Sequence, residues 1–294
     1  MILQQGSDYP RENLLISFLR AIGFFLFYHA VRSVVYNAAT IFLTIKYREP
    51  SAIEEAFYKS ANTLSFVCGI IIVLSLVFFF KVKGERVREA MHVGKPSASV
   101  VALAFFIGVS LNFSTNVLLS LLPEGLIESY VDTASNAQES TILWYVLAAV
   151  IMAPVVEELI FRAMMLSRLS TSVGNIWAIV ITAAIFGAIH DHIVWSSYAF
   201  LLGLILGFVF VRSRSLLVNI ALHLGYNLVS LTSYISLDSL DYLESALANF
   251  ALTVISVSSI PISAALIFFF FEKTRDTGSK MPIGLSENSE HGGL

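Results

Sequence analysis

The chain has 294 residues, 56% of them hydrophobic and 13% charged, with a net charge of −3 and a mean hydropathy of +0.77. Soluble domains carry about 25% charged residues, so this composition excludes a water-soluble globular domain and fits one integral membrane unit. No basic cluster suggests a nucleic-acid partner, and a single cysteine, Cys68, excludes an internal disulfide and any CxxC metal site.

In chain order, a polar segment 1–13 without a cleavable signal precedes eight predicted membrane helices. They lie near 14–45, 61–80, 98–122, 141–168, 174–190, 194–212, 216–234 and 248–271, the fifth and sixth being short for a span of about 20 residues. The predicted fold is an all-α, polytopic transmembrane helical bundle. Residues 14–271 form one domain with a motif core at 140–230, and 272–294 form a polar, disordered tail. Arg20, His29 and Arg32 mark the first helix and read as snorkelling side chains or a polar inner face, with a substrate-gating role as the alternative that no other feature of the sequence supports. Cys68, in an apolar run, reads as buried filler.

Loop charge sets the expected orientation. The 81–95 loop carries Lys81, Lys83, Arg86, Arg88 and Lys95, and the turns after the fourth and sixth helices follow Arg168 and Arg212. The 123–139 and 235–247 loops carry acidic residues and no Lys or Arg. The chain is therefore expected to be multi-pass, with both termini cytoplasmic, in the cell membrane if the source is bacterial. The 46–60 loop is of mixed sign.

The chemistry concentrates at Pro154-Val155-Val156-Glu157-Glu158-Leu159-Ile160-Phe161-Arg162, inside an apolar run. Each charge at bilayer depth costs about 2.5–3.5 kcal/mol on insertion scales. Glu158 and Arg162 are four apart, acid first, which is the favourable order for an ion pair on one helix face. Glu157 is turned about 100° away and is left without a dedicated cation, as suits a general base. The bland alternative is a solvated helix end. Further on, Phe186 and His190 share a face at the end of the fifth helix. His223 and Asn227 share a face of the seventh, with Asn219 on the same stripe and Gly225 admitting a close neighbour. Singly, these residues read as an interfacial histidine and an interhelical hydrogen-bond stripe. Together they can activate a water and stabilise an oxyanion.

The three patterns EExxxR (Glu157, Glu158, Arg162), FxxxH (Phe186, His190) and HxxxN (His223, Asn227) resemble those of the CAAX prenyl protease and bacteriocin-processing family, called CPBP or Abi. The Ala-Pro pair before the glutamates and Gly203 and Gly207 of the sixth helix also look like that family. The resemblance covers about 140–230. It implies an intramembrane glutamic endopeptidase, EC 3.4, without a cofactor. Glu157 would be the base, His190 would hold the water, and His223 and Asn227 would donate to the oxyanion. The Glu158–Arg162 pair would be structural, with Phe186 as motif support. The implied partners are the lipid bilayer and a peptide or lipidated protein: a CAAX-type C-terminus, a pheromone or bacteriocin leader, or a membrane protein cut near the cytoplasmic side. Two alternatives stay open. One is a non-catalytic scaffold or immunity protein. The other is a zinc protease with Glu157, His190 and His223 as ligands. A transporter is more distant, since no inverted repeat is visible.

The expected helices pose one geometric problem. Counted from a turn near 170, Glu157 is 13 residues deep and His190 is 20, a mismatch of about 10 Å on ideal helices. A kink at Pro154, a tilt of the fifth helix or a later start of that helix would remove it.

Overall fold

The computed structural model describes residues 13–135, 140–231 and 242–275, and among them every regular element is helical. The expected all-α membrane bundle is borne out. Six helices are long and apolar enough to cross a bilayer. Two shorter apolar helices, Asn175–Ala188 and Leu216–Val229, occupy the fifth and seventh places. At 14 residues each they measure about 21 Å, less than the roughly 30 Å hydrocarbon core. The sixth, expected to be short, is a full 21 residues. The termini, 136–139 and the acidic 235–247 loop lie outside the described residues, apart from the backbone at 242–247.

Helix α1 (Leu14–Lys46) opens on Asn13, whose side chain accepts the Leu15 N–H at 2.9 Å, closing one of the unpaired donors at a helix start. Helix α2 (Pro50–Val82) follows after three residues. It absorbs most of the segment expected to be the 46–60 loop. Pro50 sits at the first helical position, where its missing N–H costs nothing, and Glu55 pairs with Lys59 one turn on. Hydropathy marks only the apolar part of such a helix, so its polar start was invisible. Each helix has 33 residues, about 50 Å, and overruns the hydrocarbon.

Helix α3 (Ala98–Leu119) precedes a second element expected as loop, α4 (Glu124–Ser135). α4 is amphipathic and too short to span. Glu124 in its first turn complements the helix dipole. Helix α5 (Ile142–Val173) carries the EExxxR motif. It is α-helical at both ends but widens to a π-helix over Val146–Met152 and again over Leu159–Leu166. Pro154 lies just after the first of these. Proline supplies no N–H to the ladder, and here the helix absorbs it by widening. The second widening follows the paired glutamates. α6 (Asn175–Ala188), α7 (Ile193–Ser213), α8 (Leu216–Val229) and α9 (Tyr242–Lys273) complete the chain. α9 carries the helix two residues past the expected start of the tail.

α8 is clasped by α3, which also packs on α9. Two glycines make the clasp reciprocal. A Cβ on Gly108 would lie 1.8 Å from the Leu222 carbonyl oxygen, and one on Gly225 2.2 Å from the Phe105 carbonyl oxygen. Both obstacles are backbone and cannot rotate aside, so the expected close neighbour of Gly225 is α3. Gly108→Ala or Gly225→Ala should separate α3 from α8 and lower stability in detergent by about 1–3 kcal/mol or more. A thermal unfolding series against a surface control such as Gly125→Ala, which meets open space, measures this.

The basic turns gather at one end of the bundle. Leu216 donates its N–H to the His92 carbonyl at 2.8 Å, and the Ser215 hydroxyl donates to the Val93 carbonyl at 2.9 Å. His92 has φ +52°, a left-handed conformation rare outside glycine and asparagine. Its ring meets Phe210 edge-on. Burial, reinforced by the Arg168 and Arg214 charges, lowers its pKa from 6.5 to about 4. The unfolded chain therefore binds a proton in that window that the folded chain refuses. The stabilisation is complete above about pH 6.5 and lost as pH falls to about 4, worth about 3 kcal/mol. Melting temperature should fall over this range in the wild type and fall less in His92→Asn, which keeps the turn but cannot titrate.

Candidate active site

Glu158 lies wholly inside the protein at 0% exposure, and Arg162 at 1%. Their side chains approach to 3.1 Å (Arg162 Nη1 to Glu158 Oε1), one turn apart as the spacing required. Arg162 Nη2 also donates to the Gly203 carbonyl at 3.4 Å, and the guanidinium stacks over Phe186 at 4.8 Å. Gly203 itself packs against Ala183 and Phe186, and Gly207 against Ile179. These glycines bring α7 onto α6, so its backbone reaches the arginine.

The second surroundings of Glu158 come from α8. His223 Nδ1 is 2.8 Å from Glu158 Oε1, and Asn219 Nδ2 donates to Glu158 Oε2 at 3.1 Å and to the Leu206 carbonyl at 2.8 Å. A carboxylate only accepts, so His223 carries its proton on Nδ1. Its other nitrogen, Nε2, faces Glu157 Oε2 at 3.7 Å. The two neighbouring glutamates are thus divided as helical spacing predicted. Glu158 is saturated by Arg162, His223 and Asn219. Glu157 is 18% exposed, faces the His223 ring and feels the Arg162 and Arg32 charges at a distance, without an ion pair to either.

Glu157 lines a cavity of about 510 Å³ together with His190 and Asp191 from the α6–α7 turn, Trp195 from the first turn of α7, and residues of α1, α2 and the first π-turn. Such a volume suits a short peptide segment. His190 Nδ1 donates to the Phe186 carbonyl at 2.8 Å, and the ring is held between Phe186 and Trp195 at 5.2 and 5.1 Å. The carbonyl can only accept, so the neutral ring leaves Nε2 as an acceptor.

The depth mismatch disappears. The turn falls at Gly174 (φ +80°), not near 170, because α5 continues to Val173 and α6 starts only at Asn175. Glu157 lies 17 residues before Gly174 and His190 16 after it. The late start alone aligns them. Pro154 is not needed as a kink.

Asn227 is not in the cavity wall. Its Nδ2 donates to the Ala149 carbonyl at 2.8 Å, inside the first π-turn. Ala149 does line the cavity, so Asn227 fixes a piece of its backbone and retains a second amide N–H. Phe186 is more central than its motif position suggests: its ring meets Phe161, His190, His223 and Arg162. It therefore touches all three motifs. Among the described residues no three His, Cys, Asp or Glu side chains converge as a metal-binding group.

Two groups escaped the sequence reading. Asn219 was visible only as one more polar residue on the α8 stripe, and its partner Glu158 was not. Arg32 read as a snorkelling or inner-face cation, yet it lines the cavity. The signal was present in the Tyr28-x₃-Arg32-x₃-Tyr36 spacing, which places both tyrosines on the arginine's face of α1. Cys68 also borders the cavity and is 2% exposed.

The cavity lies toward the end of the bundle that holds α4 and the α6–α7 turn, since Thr133 and Asp191 border it. Ser129 and Tyr130 of α4 reach His192 and Tyr198 there, each at 3.2 Å. The His92, Arg168 and Arg214 cluster is at the opposite end.

No curated protein and no solved structure matches the chain. A family model described as Type II CAAX prenyl endopeptidase Rce1-like matches residues 139–229. That segment holds all of α5, α6, α7 and α8, and with them every motif residue. Over residues 139–229 the chain is therefore similar to the Rce1-like type II CAAX prenyl endopeptidases, in agreement with the CPBP resemblance of its three motifs.

Proposed function

We propose that the protein is an intramembrane endopeptidase of the glutamic type that cuts a membrane-associated or lipidated, CAAX-type peptide. The observation that carries this reading is the division of the paired glutamates. Glu158 is locked to Arg162, His223 and Asn219, while Glu157 faces a cavity that it shares with His190.

In the proposed reaction a water sits between the Glu157 carboxylate and His190 Nε2. Glu157 takes its proton as the oxygen attacks the scissile carbonyl. The oxyanion accepts a hydrogen bond from His223 Nε2–H, when that nitrogen is protonated, while Asn227 acts at one remove by holding the Ala149 backbone of the cavity wall. Collapse of the tetrahedral species breaks the C–N bond, and Glu157 returns the proton to the leaving amine. Glu158 acts at one remove. It holds His223 by Nδ1, which sets the direction of Nε2, as a second partner orients a catalytic imidazole.

The chain is further proposed to hold its basic turns and both termini in the cytoplasm. The cavity then opens toward the opposite face, the reverse of the cytoplasmic side expected from sequence. Cysteine labelling with a membrane-impermeant reagent, at Ser129→Cys and Arg86→Cys in a Cys68→Ala background, tests this orientation: label from outside at Ser129→Cys alone supports it, and at Arg86→Cys alone reverses it.

The activity is tested with purified protein in liposomes, offered farnesylated CAAX-type and leader-type peptides, with and without chelator. Cleavage indifferent to chelator is expected. Loss with chelator and recovery with zinc would replace the glutamate mechanism by a metal one. No cleavage, with peptides still bound, would favour a scaffold.

A further inference from the structure

Arg32 is the feature of the cavity that the reaction above does not use. It sits on the α1 wall, and Glu157 lies on the α5 wall of the same space. Its guanidinium rests over two tyrosine rings of its own helix, 5.6 Å from the centre of Tyr28 and 5.3 Å from that of Tyr36. The cradle is rigid. Tyr28 is 6% exposed, and the Tyr36 hydroxyl bonds Ser65 of α2 at 2.6 Å and the Ala61 carbonyl at 3.3 Å. Stacking holds the plane of a guanidinium, and the part of its N–H edge not turned to the Tyr28 hydroxyl is left for an anion. The Glu157 charge acts on it at a distance, but neither acidic residue of the wall, Glu157 or Asp191, approaches it as an ion pair, and no described acidic side chain does so. A cation held at mid-helix in a membrane protein without a paired carboxylate is costly, and one aimed into a peptide-sized cavity suits a charged ligand.

We infer that Arg32 binds the free C-terminal carboxylate of the substrate, so that the cavity measures from the chain end and directs Glu157 to a bond a few residues before it. This deepens the endopeptidase reading and rests on it. A substrate entering with its C-terminus toward α1 places its last residues between α1 and α2 and its scissile carbonyl against α5. The planar fork of arginine matches a carboxylate with two parallel hydrogen bonds, which a lysine cannot reproduce. Arg32 is then a specificity residue that touches substrate, not part of the proton relay.

The experiment compares one farnesylated CAAX-type peptide as free acid and as C-terminal amide. Binding to the full-length Glu157→Gln protein is measured by fluorescence anisotropy in zwitterionic liposomes, and cleavage is measured with the wild type. The acid is expected to bind about 10- to 100-fold more tightly than the amide. Arg32→Gln should erase that preference, Arg32→Lys should restore part of it, and the pH profile of kcat should not move. In the cleavage assay the loss appears in KM for the acid and leaves the amide unchanged. Equal binding of acid and amide by the Arg32-intact protein would overturn the inference even if cleavage is robust. A preference that survives in Arg32→Gln would overturn it too. So would an equal fall in kcat for both peptides, since Arg32 would then serve only the charge balance of Glu157. A preference abolished by anionic lipid at constant ionic strength would assign the site to a lipid phosphate instead. Because binding is read without turnover, absence of cleavage would count against the endopeptidase reading alone.

Discussion

Glu157→Gln should lower kcat for peptide cleavage by about 10²- to 10⁴-fold, the range typical of a lost general base, with little change in KM or melting temperature. The amide has the shape of the carboxylate but cannot take the water's proton. The fold should not notice the change. Glu157 is partly exposed to the cavity, and His223 Nε2 lies 3.7 Å from it, beyond hydrogen-bond distance. Steady-state kinetics and thermal unfolding on the same preparation separate the two effects. A matching loss of stability would mean that Glu157 is structural, and the division of labour between the glutamates would be wrong.

The adjacent residue should behave in the opposite way. Arg162→Met removes the cation from a carboxylate that is fully enclosed, and breaking a buried pair at one partner typically costs about 3–5 kcal/mol. The variant should therefore express poorly or melt far below the wild type. Replacing both members with apolar residues, Glu158→Leu with Arg162→Met, should recover much of that loss, because no buried charge is left without a partner. Activity should not return with stability. His223 would lose the acceptor for its Nδ1 proton, and Asn219 would lose one of its two acceptors. Recovery of fold without recovery of cleavage distinguishes an orienting role for Glu158 from a purely structural one. Full recovery of both would remove Glu158 from the account of the site.

The contrast between these neighbours is the part of the site that was legible in the sequence. An acid four residues before an arginine must share its face, and an acid five residues before it cannot. The local motif pairs were equally readable, because each occupies one turn of one helix. What could not be read was the pairing between helices. Nothing local to α8 says that Asn219 and His223 clasp Glu158 while Asn227 turns to the Ala149 carbonyl. That carbonyl is available as a partner where the helix is wound to π geometry, and no composition rule marks such a turn. The depth of His190 failed for a related reason. Residues 169–173 are polar enough to resemble a turn, yet they continue α5, and Thr171 and Ser172 bond Ser17 of α1. The helical start of α2 and the amphipathic α4 escaped because a hydropathy window detects spans and not the helices at their ends. The wall that α1 and α2 give the cavity was hidden behind ordinary snorkelling statistics.

The central claim is that Glu157 activates a water and does not itself attack the peptide. Single-turnover cleavage of a farnesylated CAAX-type peptide in ¹⁸O-water by the wild-type protein in liposomes tests it most directly, with the product and the Glu157 peptide both weighed by mass spectrometry. The account predicts one heavy oxygen at the new carboxyl terminus of the product and none in the Glu157 side chain. Heavy oxygen in Glu157 would mean that its carboxylate forms a covalent anhydride with substrate, and would contradict the account.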